Sequence, residues 1–477
     1  MSSFEESGRR FLSWLSRTGA DISNKIKLED LRKFNAGRGV VAAQNIEEDE
    51  LLFRIPRSSI LSVENSILSS EIPKVTFEHL GPWLSLILVM LYEHENKASS
   101  NWAPYFDVLP SDFNTLMFWE KDELEQLEAS AVVHKIGREK ADETFLRKLV
   151  PVIKEFADIF FSGDANAAQK AEQMAQPQNL QLMHKMGSLI MAYAFDVEPA
   201  NPPSKVVDEE GYASEDEDEA LPKGMVPLAD MLNADADRNN ARLYYEENHL
   251  SMKALTSIEA GSEIFNDYGP LPRSDLLRRY GYITDNYALY DVVEISHDLV
   301  LELVKQKAPA GFEQRIDYLD EQGVVDIGYD ISASTPFDIL ESVAPELLVL
   351  IRALLLPADE FERLKRKGKL PKSEGFTAND AACLRSIVQA RTRQYATSLA
   401  DDTSDVTMIM DGEATIRERR FTMAKAVRIG EKTILKDADE ALEKMVRELE
   451  STTNGAGGLK RGAEDGHEDG EKKRKFR

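Results

Sequence analysis

A single cysteine, Cys383, stands among 477 residues, so no internal disulfide can form and a reducing compartment is expected. The seven histidines are scattered and have no cysteine cluster beside them, so no metal site is expected. Basic residues are in deficit: 58 Lys and Arg face 84 Asp and Glu, a net charge of −26. That charge repels phosphate backbones, which argues against direct nucleic-acid binding and favours basic partners. Long apolar runs are also missing. The longest, Trp83 to Tyr92, falls short of the roughly 20 residues a membrane helix needs, so no membrane partner is expected. The first ten residues include Glu5, Glu6, Arg9 and Arg10 and have no secretory pattern, which points to the cytosol or nucleus.

What is present is ordinary globular material. The hydrophobic share of 42% and the length allow two or three domains, each with its own core. Residues 4–18 put Phe4, Phe11, Leu12, Trp14 and Leu15 largely on one side of a helix. From Gly39 the pattern turns to β: Val40-Val41-Ala42-Ala43, a polar turn, then Leu51 to Ile55 stopped by Pro56. The same design returns about 210 residues later, as Leu250 to Leu255, a turn at Ser257–Gly261, then Glu263-Ile264-Phe265. Ile46-Glu47 and Ile258-Glu259 hold equivalent places in the two units. Between them, residues 80–95, 122–140, 143–162 and 165–196 carry helical apolar spacing. Residues 201–222 break with Pro202-Pro203 and an acidic run from Asp208 to Glu219, which reads as a mobile loop. Past residue 296 the chain turns helical over 337–356, 378–399 and 416–449, and residues 451–477 hold almost no apolar mass and should be disordered. The expected domains are an N-terminal helix over 1–20, a β core over 21–295 with a helical insert at about 80–200, a helical domain over 296–450 and a tail from 451.

Three short strings carry the candidate chemistry. They are Ala229-Asp230-Met231-Leu232-Asn233, Phe265-Asn266-Asp267-Tyr268-Gly269 and Arg279-Tyr280-Gly281-Tyr282. A tyrosine at a strand end can aim its hydroxyl into a cleft. Tyr280 and Tyr282, two apart on an extended segment, would face the same side. Three such rings could wall an apolar channel or cradle a cation, or simply form a tyrosine-rich core edge. Asn233 can read the edge of a purine or tie down a crossing loop, or merely cap a turn. Gly37-Arg38-Gly39 allows close backbone approach to a ligand, or is a plain tight turn.

Taken jointly, the strings resemble the SET-domain protein methyltransferases of the Rubisco large-subunit methyltransferase type, a group that includes the fungal ribosomal lysine N-methyltransferases. Gly37 to Val41 is similar to the opening motif of that fold. Val226 to Asn233 and Glu263 to Gly269 resemble the two partners of its pseudoknot, and Asn101 to Pro110 resembles a signature of the helical insert. The fold class implied is α+β: a SET-domain β core with a pseudoknot, interrupted by a large helical insert and followed by an all-α C-terminal domain that binds substrate. The resemblance implies S-adenosyl-L-methionine as methyl donor. It implies Tyr268 as the catalytic residue, and Gly37, Arg38, Gly39, Tyr193, Asn233, Ala234 and Tyr280 as cofactor contacts. Trp102, Asp230, Met231 and Tyr282 would line the path of the target lysine. Two departures stand out. Ala234 replaces the family's usual His, and Tyr282 stands where relatives often have Phe, which suggests monomethylation.

The expected substrate is a basic protein, with a ribosomal protein favoured. Other readings are a non-catalytic SET-fold peptide-binding module and a methyltransferase acting on histidine or on another nuclear protein. Lys460-Arg461 and Lys472-Lys473-Arg474-Lys475 have the spacing of a bipartite import signal. A nuclear import receptor and a nuclear address, with the cytoplasm also open, follow from it.

Overall fold

The computed structural model of the protein describes residues 3–34, 36–127, 129–197, 221–404 and 414–458. The acidic run Asp208–Glu219 and the basic clusters after Lys460 lie outside the described residues. The chain divides into two compact units. One runs to Tyr290 and takes back the first turns of the last helix, to Val427; the other starts at Asp291 and resumes at Arg428.

The first unit is built from small antiparallel sheets. Strands β1 (Asp21–Ile22), β2 (Ile26–Asp30), β3 (Arg38–Ala42), β4 (Leu51–Pro56) and β5 (Leu61–Ser62) come before the helical insert. Strands β6 (Ala194–Asp196), β7 (Lys223–Met225), β8 (Ala241–Tyr245) and β9 (His249–Ala254) come after it. The sheets order as β1-β4-β9-β8, β5-β7-β6 and β2-β3, so each larger sheet joins strands from both sides of the insert. The two repeated β units meet face to face. Ile46 and Ile258 exchange both backbone hydrogen bonds at 2.9 Å, and Gly261, Ser262 and Ile264 bond along β3 at Ala42 and Val40.

The insert is more broken than its apolar spacing suggests. The helix Lys74–Glu95 kinks at Gly81, φ 73°, directly before Pro82, and its middle from Leu86 to Leu91 is fully buried. By length and composition this helix could cross a membrane; here that middle is core. The continuous helices expected over 122–140 and 143–162 are replaced by short pieces. Gly137, φ 65°, forces a restart at Arg138, and a π-turn over Phe145–Leu149 precedes Pro151. Proline lacks an N–H and clashes with the carbonyl four residues back, so the ladder shifts register there. Pro177 likewise opens the helix Pro177–Tyr193 instead of lying within a longer one.

The second unit is helical around a core that includes Leu347, Leu348, Leu350, Ile351, Leu384 and Leu435. The all-α expectation needs one correction: β10 (Val292–Ser296) and β11 (Gly328–Ser332) form an antiparallel ribbon. Val293 and Ile295 alternate inward with Tyr329 and Ile331, which is half-buried strand patterning. Residues 129–131 of the insert also belong to this unit, where Ser130 Oγ donates to Glu431 (2.5 Å) and Arg391 to the Ala129 carbonyl (2.6 Å). The last helix, Ile416–Gly458, continues beyond residue 451, where disorder was expected.

Candidate active site

Three chain segments far apart in sequence cross at one point. The backbone N–H of Asn266 donates to the Asn233 carbonyl (2.8 Å), and Ala234 pairs in parallel with Asn266. The Asn233 side chain crosses further, its Nδ2 donating to Glu263 Oε1 (2.6 Å) and to the Arg38 carbonyl (3.4 Å). Gly39 makes the crossing possible. A Cβ there would stand 2.4 Å from Leu31 Cδ1 and 2.7 Å from Glu263 Oε1. The Arg38 side chain turns away, donating to the carbonyls of Val108 (3.0 Å) and Phe4 (3.1 Å) and to Ser7 Oγ (2.8 Å). It anchors the Ser3–Arg17 helix and leaves only backbone at the crossing.

Beside the crossing lies a cavity of about 380 Å³ whose walls include Tyr193, Asp230, Asn266, Tyr268 and Tyr280. Small-molecule sites span roughly 300–1,000 Å³. Tyr268 and Tyr280 stack with ring centroids 4.2 Å apart, inclined by 10°. The Tyr268 hydroxyl donates to the Leu232 carbonyl (3.5 Å), next to Asn233, so the phenol points toward the crossing loop. Tyr280 ends the helix Arg273–Tyr280, and Gly281, φ 77°, turns the chain back at its C-cap. The two tyrosines are therefore not on an extended segment, as the spacing had suggested. Tyr282 still returns to meet Tyr280, edge to face at 6.3 Å. Its hydroxyl is buried without a hydrogen-bond partner.

Asp230 reaches the cavity through an unusual turn. Leu228, itself buried, holds a positive φ of 77°, costly for a branched side chain, and opens the short 3₁₀ turn Ala229–Met231. Asp230 Oδ2 accepts a hydrogen bond from the Tyr105 hydroxyl, and Oδ1 is buried. Burial pushes the Asp230 carboxyl up to about 7, against the pull of the Tyr105 hydroxyl and of the backbone N–H groups of Asp230 and Leu228. Burial also raises the phenols of Tyr268 and Tyr280, and takes Tyr193 to about 12. All these phenols are neutral at pH 7 and act as hydrogen-bonding groups.

Residues 37–269 match the SET domain, and residues 307–435 match the Rubisco LSMT substrate-binding domain. The chain belongs to the SET-domain family. This SET-domain protein is 39% identical over 329 residues to ribosomal lysine N-methyltransferase 4 of Saccharomyces cerevisiae, an alignment covering 67% of this chain and 63% of the yeast protein. It is 28% identical over 461 residues to N-lysine methyltransferase SETD6 of Mus musculus, covering 89% and 88%. The solved SET domain of LSMT bound to lysine and AdoHcy has a TM-score of 0.67 at 20% identity, covering 94% of each chain. Rubisco LSMT bound to AdoMet gives 0.65 at 19%, covering 93% of each. Both likenesses bear out the interrupted β core with a helical C-terminal region.

Within this SET-domain protein the expected site residues fall into three groups. Tyr193, Asp230, Tyr268 and Tyr280 share the cavity wall; Gly37, Arg38, Gly39, Asn233 and Ala234 surround the crossing; Tyr282 abuts Tyr280. Trp102 and Met231 are not brought to the cavity. Both are buried in the core, and the Trp102 indole N–H donates to the Ser59 carbonyl (3.0 Å). Tyr105 and Glu263 were not singled out from sequence. Each lies within a quoted string, but a hydroxyl meeting a carboxylate 125 residues away leaves no local signal. Glu263 is half-buried, and burial raises its carboxyl despite the Asn233 hydrogen bond.

Proposed function

We propose that this chain is an S-adenosylmethionine-dependent protein-lysine N-methyltransferase. The observation that carries the reading is the aromatic cavity of Tyr193, Tyr268 and Tyr280 lying against the crossing of Asn233 with the Gly37–Gly39 backbone. The names of the yeast and mouse relatives, both lysine methyltransferases, support it. The residues fit the donor: a glycine cradle, the Asn233 amide and aromatic rings suited to a cation. When bound, the donor supplies an electrophilic methyl on a sulfonium.

The target amine must arrive uncharged. At pH 7 that costs a solvent-exposed lysine roughly 4–5 kcal/mol, from its pKa near 10.4. A dry aromatic cavity lowers the cost by disfavouring the ammonium. Tyr268, neutral and at the crossing loop, orients the amine, so catalysis is mainly positioning. The unpartnered Tyr282 hydroxyl favours a single methylation, because it can bond the amine or a water where further methyl groups would need room. The acidic surface and the yeast relative's name favour a basic ribosomal substrate. The paired basic clusters of the tail favour nuclear import.

Incubating the purified chain with labelled donor and a ribosomal or nuclear extract tests the reading. A labelled monomethyl-lysine on a ribosomal protein is expected. Labelled histidine would replace the acceptor, abundant trimethyl-lysine would end the monomethyl assignment, and failure to bind S-adenosylmethionine would leave a peptide-binding module. A fluorescent fusion lacking residues 460–477 should leave the nucleus; unchanged accumulation there would discard the import signal.

A further inference from the structure

Net charge acts on a basic substrate from a distance, and the mouth of the cavity carries a carboxylate placed to act at close range. Besides Asp230, two aspartates belong to the cavity wall, Asp196 and Asp267. Asp196 is already neutralised, with Lys223 Nζ 2.7 Å from its Oδ1. Asp267 is exposed and yet lines the cavity, which puts it at the mouth, one residue before Tyr268. Its Oδ1 accepts from the backbone N–H of Gly269 (2.7 Å), a turn that fixes the side chain. Its Oδ2 has only the Asn239 amide at 3.4 Å, long for a hydrogen bond. Arg238, beside Asn239, is taken up by Asp235 (2.5 Å) and lies over the Phe265 ring at 4.8 Å. Asp267 makes no ion pair among the described residues. One carboxylate oxygen is therefore held in place at the cavity mouth and left open.

We propose that Asp267 selects the sequence around the target lysine, pairing with a lysine or arginine within about three residues of it, a role that rests on the lysine-methyltransferase reading above. An extended peptide advances about 3.3 Å per residue. A target lysine inserted toward Tyr268 therefore leaves its neighbours over the mouth, where a long basic side chain can reach Oδ2. The Gly269 N–H has already oriented the carboxylate, so little further ordering is needed when the cation arrives. Closing the turn does not itself require a charge. An asparagine at 267 would accept from Gly269 equally well through its own Oδ1, but it would not attract a cation. The two roles of the side chain can thus be separated by one substitution. Because the pair is exposed and screened, the selection is several-fold and not absolute.

The test uses the full chain, labelled S-adenosylmethionine and a library of synthetic peptides, each with one lysine and varied residues on both sides. Wild type should enrich arginine or lysine at a flanking position. For a matched pair of peptides with arginine or alanine there, KM should be about three- to fivefold lower with arginine while kcat is similar. Asp267→Asn should erase that difference and still bind S-adenosylmethionine like wild type, which shows that the fold is intact. Asp267→Lys should reverse the preference toward glutamate, a gain that misfolding cannot produce. Glu48→Gln removes the same charge from an exposed position outside the cavity wall and should leave the preference as it was. An Asp267→Asn enzyme that keeps the wild-type preference would overturn the proposal. So would a Glu48→Gln enzyme that loses it, since bulk charge would then be the cause. A wild type that labels the library without regard to neighbours, or that labels only whole basic proteins, would overturn it too and leave methyl transfer standing. If S-adenosylmethionine does not bind and no basic protein gains a methyl group, the underlying reading fails first and takes this one with it.

Discussion

At the residue scale, the cavity depends on polar atoms that burial keeps in one protonation state. Tyr268 is neutral, stacked on Tyr280, and 3.5 Å from the Leu232 carbonyl. Removing its hydroxyl deletes an orienting group without opening a large void. Tyr268→Phe should therefore bind S-adenosylmethionine normally yet lose roughly 10²-fold or more in kcat; calorimetry and single-turnover assays would check both halves. Asp230 makes a separate, thermodynamic prediction. Its carboxyl ordinarily titrates at 3.8 and is raised to about 7 in the fold. Between those values the folded state binds more protons than the unfolded one, so stability falls as pH rises and levels off above about 7. Relative to Asp230→Asn, wild type should lose about 2–3 kcal/mol of unfolding free energy between about pH 5 and pH 8. Urea denaturation of the two proteins across that range measures it, and parallel curves would contradict the raised carboxyl.

At the scale of elements, turns decide which residues reach the site. The helix Arg273–Tyr280 would carry Tyr282 away from Tyr280 if it continued; Gly281 stops it. A Cβ at Gly281 would lie 2.8 Å from the backbone of both Asn114 and Thr115, and φ 77° is itself unfavourable for alanine. Gly281→Ala should cost about 1–3 kcal/mol and lower activity by displacing Tyr282, visible as a reduced Tm together with a reduced kcat. The first turns of the last helix are held by a buried pair, Arg420 with Glu123 at 2.6 Å, and Arg420 also donates to the Asn114 side chain (2.8 Å). Arg420→Ala would leave Glu123 buried without its cation. A loss of about 3–5 kcal/mol is expected, measurable by denaturant unfolding.

At the scale of the whole molecule, charge is the governing property. With a net charge of −26 the chain attracts lysine- and arginine-rich proteins from a distance. Attraction between exposed charges is screened within about 8 Å at physiological ionic strength. Raising salt should therefore increase KM for a basic substrate several-fold while kcat changes little. A KM indifferent to salt between about 0.05 and 0.5 M would show that charge does not guide the encounter. The two units keep separate cores, the first joining short β-strands with a large helical insert and the second built mainly of helices.

The sequence alone determined much of this protein. The repeated β units with matching Ile46 and Ile258, the strings around Asn233 and Tyr268, and the helical second half are local patterns, and local patterns survive in one dimension. It could not determine what depends on distance. The breaks at Gly137 and Pro151 overrode a good helical pattern, because backbone geometry outranks apolar spacing. Trp102 went to the core instead of the cavity, because its indole found the Ser59 carbonyl. The meeting of Tyr105 with Asp230, and of Asn233 with Glu263 and Arg38, joins segments up to 195 residues apart. Only the tertiary structure brings those groups into contact, and burial in a dry interior is what holds the Asp230 carboxyl well above its ordinary range.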